Sequence, residues 1–192
     1  HHPEVDTGLH TLLSLQQAAK LSDDPVVRYA TLVHDVGKGI TDKAKWPSHF
    51  DHEQLGLPLL LDINKRLHVP NQYSRLAALV CEHHTKQHRI LELRPATLLK
   101  LIEALDGFRR PERVQKFLLA CEADARGRTG LEQRDYPQSA YLKTVLNELS
   151  QLDVGSLLKE AKPENPQEFV SQSRLKLLGD IVARLNPSAS TN

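Results

Sequence analysis

The segment "YATLVHDVGKG", residues 29–39, places an adjacent histidine and aspartate, His34 and Asp35, at the end of an apolar helical run. Burying an imidazole or a carboxylate costs free energy unless the group finds a partner, so other segments must fold around this pair and supply partners. An imidazole beside a carboxylate at a helix end is also what a divalent metal site or a phosphate-binding site requires. The pair therefore predicts a fold in which several elements converge on one buried polar site.

The remainder of the chain reads as a series of helices. Capping residues predict a first helix that begins at Asp6 or Thr7, and a second that begins at Pro25, runs through Val33 and has Gly37 as its stop. Prolines mark three later starts, at Pro70, Pro95 and Pro111. The segments "QSAYLKTVLNELSQL" and "PQEFVSQSRLKLLGDIVARL" predict two amphipathic helices separated by a breaker at 163–166.

No segment shows sustained alternation of apolar and polar residues, so no sheet is predicted. The expected fold class is all-α, a helical bundle over residues 1–130 with a helical C-terminal extension over residues 131–192 that packs on the core. The amphipathic last helix could equally pack on a second copy of the chain, so a homodimer stays open.

Composition excludes several classes of protein. Lys and Arg number 25 and Asp and Glu 24 among 192 residues, so the chain lacks the overall positive charge of a dedicated nucleic-acid binder. No apolar run approaches the length of a membrane span, and no membrane partner is expected. Cys81 and Cys121 form no CxxC pair, which favours reduced thiols and a cytoplasmic protein.

Ten histidines are many for this length, and several could join the His34-Asp35 pair. The candidates lie in four segments: His10, His49 with His52, His83 with His84 and His88, and Asp124 at the end of another apolar run. The spacing of His49 and His52 and that of His84 and His88 would put each pair on one face if its segment is helical.

Ordinary structural roles compete with these assignments. A histidine taken singly is more often hydrogen-bonded or solvated than a ligand, and His88 stays closest to that interpretation. Asp124 could pair with Arg126 or Arg128. Lys38 could be a charge that stabilises a helix C-terminus, although its position just after the pair also suits it to meet a phosphate.

The order of His10, His34-Asp35 in "HDVGKG" and Asp124 resembles the HD superfamily of metal-dependent phosphohydrolases, an all-α fold. Four segments, "HPEVDTGLHTLLSL", "YATLVHDVGKG", "WPSHFDHEQLG" and "EADARGRTGLEQRDYPQ", resemble in order the C-terminal HD domain of bacterial CCA-adding enzymes, which are tRNA nucleotidyltransferases. The resemblance covers roughly residues 2–138; later helices match only in character.

The resemblance implies an HD-domain helical bundle with 2′,3′-cyclic phosphodiesterase, 2′-nucleotidase and phosphatase activities that serve tRNA 3′-end repair. Expected substrates are the tRNA 3′ end or 2′-phosphorylated and 2′,3′-cyclic nucleotides. The Gly-Ser motif and paired carboxylates of a nucleotidyltransferase domain are absent from this sequence. The family therefore leads us to expect that domain upstream, and we do not predict CCA addition by this chain alone.

Chemistry and resemblance together suggest roles for individual residues. The expected ligands of one divalent ion are His10, His34, Asp35 and Asp124. Relatives with two metals imply further roles for His52 and His84 with a bridging Asp35, although the adjacent His83 leaves that register open. Expected contacts to phosphate come from His49, which could also act as an acid, and from Lys38, Arg126 and Arg128.

The metal is not fixed by these residue types, since nickel, manganese, magnesium, cobalt or iron would suit them to differing extents. Two other functions stay open. One is an HD hydrolase of a free nucleotide; the other is a non-catalytic module for tRNA binding or dimerisation.

Overall fold

The computed structural model describes residues 6–186, which are helical and contain no strand. The predicted all-α fold is therefore confirmed for this range. The first four residues of the segment "HPEVDTGLHTLLSL" lie outside it. Nine α-helices occur in the described range: α1 (Thr7–Leu21), α2 (Pro25–Val33), α3 (His52–Arg66), α4 (Asn71–His88), α5 (Pro95–Ala104), α6 (Pro111–Arg126), α7 (Pro137–Ser150), α8 (Val154–Ala161) and α9 (Pro166–Leu185).

The chain forms two compact units, and the first is discontinuous in sequence. The first unit comprises the described part of 1–88 together with 112–136, and the second comprises 89–111 together with the described part of 137–192. All predicted site residues belong to the first unit. The predicted boundary near residue 130, and the packing of an extension on a core, stay predictions.

Side-chain caps fix the first two helices as predicted. Asp6 accepts hydrogen bonds from the backbone N–H groups of Gly8 and Leu9 at 2.7 and 3.2 Å, and Asp24 accepts from Val26 at 2.8 Å. These carboxylates satisfy N–H groups that lack a partner within the helix. Both helices are thus anchored at the ends from which they lead to His10 and His34.

Helix α2 ends at Val33 as predicted, but Gly37 is not a helix stop. The chain continues into a 3₁₀ turn, Val36–Ile40, so Asp35 lies at the junction between the helix and the turn. Gly37 is required there for close packing: a Cβ on it would lie 1.9 Å from the backbone oxygen of His52 and 2.7 Å from the nitrogen of Gly56. The missing side chain lets the turn touch the first turns of α3.

The apolar core of the first unit lies beneath the polar site. Helices α2 and α4 pack together through small and branched side chains, among them Val27, Ala30, Ala77 and Val80, which are fully buried. Both cysteines are free and buried, and burial raises the pKa of Cys81 to about 12. They are core residues rather than nucleophiles.

The second unit contains one helix more than predicted. Helix α8 lies between the two predicted C-terminal helices, begins after a cap from Asp153 to the backbone N–H of Ser156 at 3.0 Å, and buries none of its residues. Such a short helix leaves little periodic signal, which is why the sequence pattern did not reveal it. Helices α5 and α7 pack on α9, where Leu142, Leu149 and Leu178 are buried.

Among the described helices, none is both long enough and apolar enough to cross a lipid bilayer.

We expect Gly37→Ala to lower the free energy of unfolding by about 1–3 kcal/mol or more, because the added methyl group meets backbone atoms of α3 that cannot move aside cheaply. Gly39→Ala is the matched control, since a Cβ there meets nothing within 4 Å. Urea unfolding of both variants measures the difference. Equal stability of the two would contradict the close approach of the turn to α3.

Candidate metal centre

The buried carboxylate of Asp35 lies between two pairs of histidines. Its Oδ2 is 3.2 Å from Nε2 of His34 and 3.7 Å from Nε2 of His10. Its Oδ1 is 3.3 Å from Nε2 of His52 and 3.5 Å from Nε2 of His84. Four different elements thus bring imidazoles to the two oxygens of one carboxylate, and all five side chains are buried.

Asp124, from the last turn of α6, completes the first side of this cluster. Its Oδ1 lies 2.9 Å from Nε2 of His10 and 3.5 Å from Nε2 of His34. Asp124 is 2% exposed, so its charge is balanced by these neighbours rather than by solvent. The structure brings together His10, His34 and both aspartates, the four residues that the sequence analysis expected around one ion.

Each of the four histidines uses its outer ring nitrogen, Nδ1, in a contact with a backbone carbonyl. A carbonyl only accepts, so Nδ1 must carry the hydrogen and Nε2 turns its lone pair to the cluster when the ring is neutral. These contacts are His10 with Gly127 at 3.0 Å, His34 with Thr31 at 2.7 Å, His52 with His49 at 3.0 Å and His84 with Val80 at 2.9 Å.

When these rings are neutral, hydrogen-bond acceptors therefore face acceptors inside the cluster. Nε2 of His34, both oxygens of Asp35 and Oδ1 of Asp124 are buried, and their neighbours within residues 6–186 are one another, the other imidazoles and the charged ends of Lys38 and Arg128. Across the second side, Nε2 of His52 and Nε2 of His84 are only 3.2 Å apart. Lone pairs and carboxylates held this close repel one another unless a proton or a cation lies between them, and donors of these types suit a divalent metal ion.

Among residues 6–186, three groups of donor atoms are compact enough to hold an ion, each with its atoms within 4.8 Å of one another. They are His10, His34 and Asp35; His34, His84 and Asp124; and Asp35, His52 and His84. Asp35 belongs to groups on both sides, as a bridging carboxylate would.

Charge in the metal-free cluster concentrates on His34. Burial alone would lower the pKa of His34, but the carboxylates of Asp35 and Asp124 outweigh it and raise that pKa well above its usual range. Burial alone would raise the pKa values of Asp35 and Asp124, but charge on His34 and contacts with other imidazoles hold both well below their usual range. Burial dominates at His84 and lowers its pKa.

Two of the predicted phosphate-binding residues reach the cluster and one has other partners. Nζ of Lys38 is 2.6 Å from Oδ2 of Asp35, with 12% of its side chain exposed. Nη2 of Arg128 is 3.9 Å from Oδ1 of Asp124, and its buried Nε has no hydrogen-bond partner among the described residues. The guanidinium of Arg126 instead contacts Glu122 at 2.9 Å and the backbone oxygen of Arg134 at 3.0 Å.

His49 lies beside the cluster but not on a helical face with His52. It has a left-handed backbone, φ 49°, three residues before α3 begins, so the segment is not helical there and the condition for a shared helical face is not met. Its Nδ1 is 2.5 Å from Oγ1 of Thr41, and this hydroxyl donates to the carbonyl of Lys38. Burial and the charges of Lys38 and His52 lower the pKa of His49, which favours the neutral ring.

The open choice between adjacent histidines is resolved by the direction of α4. His84 turns to Asp35, whereas Nδ1 of His83 lies 3.3 Å from Nζ of Lys86 and its Nε2 lies 3.9 Å from Glu82. His83 is thus outside the three donor groups.

His88 and Tyr136 support the cluster from outside; in the sequence His88 was a candidate left closest to an ordinary structural role, and Tyr136 was not identified. Nε2 of His88 is 2.6 Å from Oδ2 of Asp124, its Nδ1 is 3.0 Å from the hydroxyl of Tyr136, and that hydroxyl also bonds the side chain of Gln87. Burial raises the pKa of Tyr136, so its hydroxyl keeps its proton. This chain of contacts fixes which way the carboxylate of Asp124 faces. In the sequence, the only sign of a site role for His88 is its spacing of four residues from His84.

Comparisons with known proteins agree with this geometry. Residues 7–119 match the family described as "HD domain". A Multifunctional CCA protein from Teredinibacter turnerae is 54% identical over 84% of this chain and 39% of its own length. Relatives with the same name from Hahella chejuensis and Ectopseudomonas mendocina are 46% and 49% identical over 98% of this chain.

The chain spans less than half of these relatives, 42% of the Hahella chejuensis protein and 46% of the Ectopseudomonas mendocina protein. No solved structure matches the chain.

We expect His88→Ala and Tyr136→Phe each to weaken binding of Mn²⁺ about 10- to 100-fold, because Asp124 loses the contacts that orient it. Isothermal titration calorimetry of the metal-stripped protein measures this affinity. His68→Asn is the matched control, since His68 is exposed and asparagine tolerates its left-handed backbone. Wild-type affinity in both site variants would show that Asp124 is oriented without them.

Metal binding at neutral pH should release about one proton. The raised pKa of His34 keeps its ring protonated in the metal-free protein, whereas ligation needs the neutral ring. Affinity should therefore increase as pH rises through the neutral range; the lowered pKa values of Asp35 and Asp124 add no competing proton until acid pH. Calorimetry in two buffers of different ionisation enthalpy counts the protons, and a count of zero at pH 7 would contradict this charge state.

Proposed function

Because the chain belongs to the HD domain family, whose members are phosphohydrolases, we propose that it hydrolyses phosphate esters at the 3′ end of tRNA. Its substrates are 2′,3′-cyclic phosphates and 2′-phosphates, and it acts as a phosphodiesterase, 2′-nucleotidase and phosphatase. The name shared by its relatives supports this choice of RNA, since these proteins are called Multifunctional CCA protein. A tRNA substrate places the reaction in the cytoplasm.

The observation that carries the proposal is the inward-facing set of four imidazole nitrogens around two buried carboxylates. Such donors suit a divalent ion, with nickel, manganese, cobalt and magnesium as the candidates. His10, His34, Asp35 and Asp124 would hold the first ion, and His52 and His84 would hold a second that shares Asp35. A bound divalent ion would polarise phosphoryl oxygens and lower the pKa of a coordinated water.

The protein's own groups then position the ester. Lys38 and Arg128 lie at the cluster with their charged ends near its carboxylates, and both would contact the phosphate oxygens of a substrate. Arg126 would reach the phosphate only if it left Glu122.

Hydrolysis joins a water oxygen to phosphorus and breaks the bond to a ribose oxygen, which takes a proton as it leaves. His49 is the side chain placed for that transfer, because it lies beside Lys38 and outside the donor groups. Its lowered pKa favours the neutral ring, which can accept the proton of water and then return it to the leaving oxygen.

Cyclic phosphates demand less of the site than monoesters do. Ring strain in a 2′,3′-cyclic phosphate assists the departure of the ribose oxygen, so positioning and proton transfer carry more of the catalysis. We therefore expect the cyclic substrate to depend less strongly on added metal than 2′-monophosphates do.

The two alternatives predict different behaviour. An HD hydrolase of free nucleotides would act on nucleoside triphosphates or cyclic dinucleotides in preference to 2′-phosphates. A non-catalytic tRNA-binding or dimerisation module would bind tRNA without turnover. The compact donor groups favour a catalytic role over the second alternative.

The test is hydrolysis of 2′,3′-cyclic AMP, 2′-AMP and 3′-AMP by metal-stripped and metal-replete protein. We expect turnover of the first two, and we expect Asp35→Asn to reduce it by roughly a hundredfold or more, because the shared carboxylate loses its charge. Asp42→Asn is the matched control: Asp42 is exposed, and asparagine can keep its cap on the N–H of Ala44. Circular dichroism shows whether both variants are folded. Absence of turnover with every metal tried would overturn the proposal in favour of a binding module.

A further inference from the structure

Two large aromatic side chains lie exposed on either side of His49. Trp46 is 55% exposed and Phe50 is 68% exposed, and both belong to the segment between the 3₁₀ turn and α3. Isolated exposed apolar residues need no explanation, but an exposed tryptophan ring beside a site histidine offers aromatic surface suited to a ligand, and Phe50 follows that histidine directly in the chain. We call Trp46 and Phe50 the aromatic rim.

Trp46 connects the aromatic rim to the metal centre through His49. The ring of Trp46 lies 5.8 Å from the ring of His49, measured between centroids. The backbone oxygen of His49 accepts the hydrogen bond that orients His52, and its Nδ1 contacts Thr41, which in turn contacts the carbonyl of Lys38. The path from Trp46 to the backbone of Lys38 thus runs through two side chains, those of His49 and Thr41.

The segment that carries the rim has charges of both signs, among them the exposed carboxylates of Asp42 and Asp51. Lys43 is exposed and has no ion-pair partner within the described range, and Lys45 is paired at 3.0 Å with Asp51 on the surface. A surface pair of this kind contributes little and leaves the lysine able to exchange partners. The basic groups at the cluster itself, Lys38 and Arg128, favour an anionic ligand group there, and the exposed ring of Trp46 favours a ligand that also has a flat π-face.

We propose that the aromatic rim is a nucleobase-binding subsite, in which Trp46 stacks on the base of the nucleotide whose phosphate is held at the metal centre. A nucleotide joins an anion to a flat ring through one ribose, which matches the arrangement of Lys38, His49 and Trp46. Bases of single-stranded RNA ends are commonly held by stacking on aromatic side chains. This inference rests on the proposed function for the identity of the phosphate ester.

The chain offers a direct readout, because Trp46 is its only tryptophan. Intrinsic fluorescence excited at the tryptophan band therefore reports this position alone. We expect 2′-AMP to quench it saturably in the metal-replete protein and in a sample kept with EDTA at higher nucleotide concentration. Ribose 5-phosphate, which has the phosphate and sugar but no base, should leave it nearly unchanged.

Kinetics give the second readout. We expect Trp46→Leu to raise the KM for 2′-AMP about fivefold to tenfold with little change in kcat, the lower end of what base–aromatic stacking contributes. The same variant should lose its selectivity for 2′-AMP over β-glycerophosphate, which has no base. Phe50→Leu keeps the fluorophore and tests the second ring. Leu67→Ala is the matched control, since Leu67 is 67% exposed and lies at the opposite end of α3.

Each outcome separates this inference from the proposed function. Quenching by 2′-AMP without turnover would support the subsite and overturn the hydrolytic function. Turnover without quenching, with an unchanged KM in Trp46→Leu, would overturn the subsite and leave the hydrolytic function standing. Equal quenching by ribose 5-phosphate would show that phosphate alone is sensed, and it too would overturn the subsite.

Discussion

The rest of the first unit depends on one buried carboxylate that is shared between two pairs of imidazoles. Asp35 can hold that position only because α2 ends one residue earlier, at its cap His34, and the chain turns at once into a 3₁₀ segment that touches α3 through Gly37. A side chain at residue 37 would push His52 away and open one side of the cluster. The close packing of the 3₁₀ turn against α3 therefore also determines the geometry of the site in this part of the fold.

Much of the cluster was predictable because its members share a signature: an ionisable side chain placed where a helical apolar pattern demands a core residue. His34, Asp35 and Asp124 stand out in this way. The residues that contact this cluster from outside, Tyr136 and His88, do not carry that signature. Tyr136 lies in a polar loop and His88 at a helix end, where polar residues are ordinary, so only the folded chain shows that they converge on Asp124. The left-handed backbone at His49 was hidden for a similar reason, since spacing describes a helix only where the chain is helical.

In the second unit, too, the sequence pattern predicts only those elements that bury a periodic set of side chains. Long amphipathic segments such as α9 were predicted from their periodicity, whereas α8 buries none of its residues and depends on a local cap at Asp153. The grouping of 89–111 with later helices is also a property of long-range contacts, which local pattern does not encode. The sequence predicted the structure correctly where burial imposes a periodic pattern. It did not where the local backbone or long-range contacts determine the structure.

The two sides of Asp35 are not equivalent, and the difference bears on how the centre would work. The first side combines two imidazoles with two carboxylate oxygens, and its Asp124 is braced from behind by His88. The second side has two imidazoles and one carboxylate oxygen, with His52 at its edge beside the segment that carries His49. A site with four braced donors retains an ion more tightly, whereas one with three leaves positions for water or substrate. Under the proposed function, the side that faces His49 would be the one open to substrate, and it is also the side on which Trp46 contacts His49.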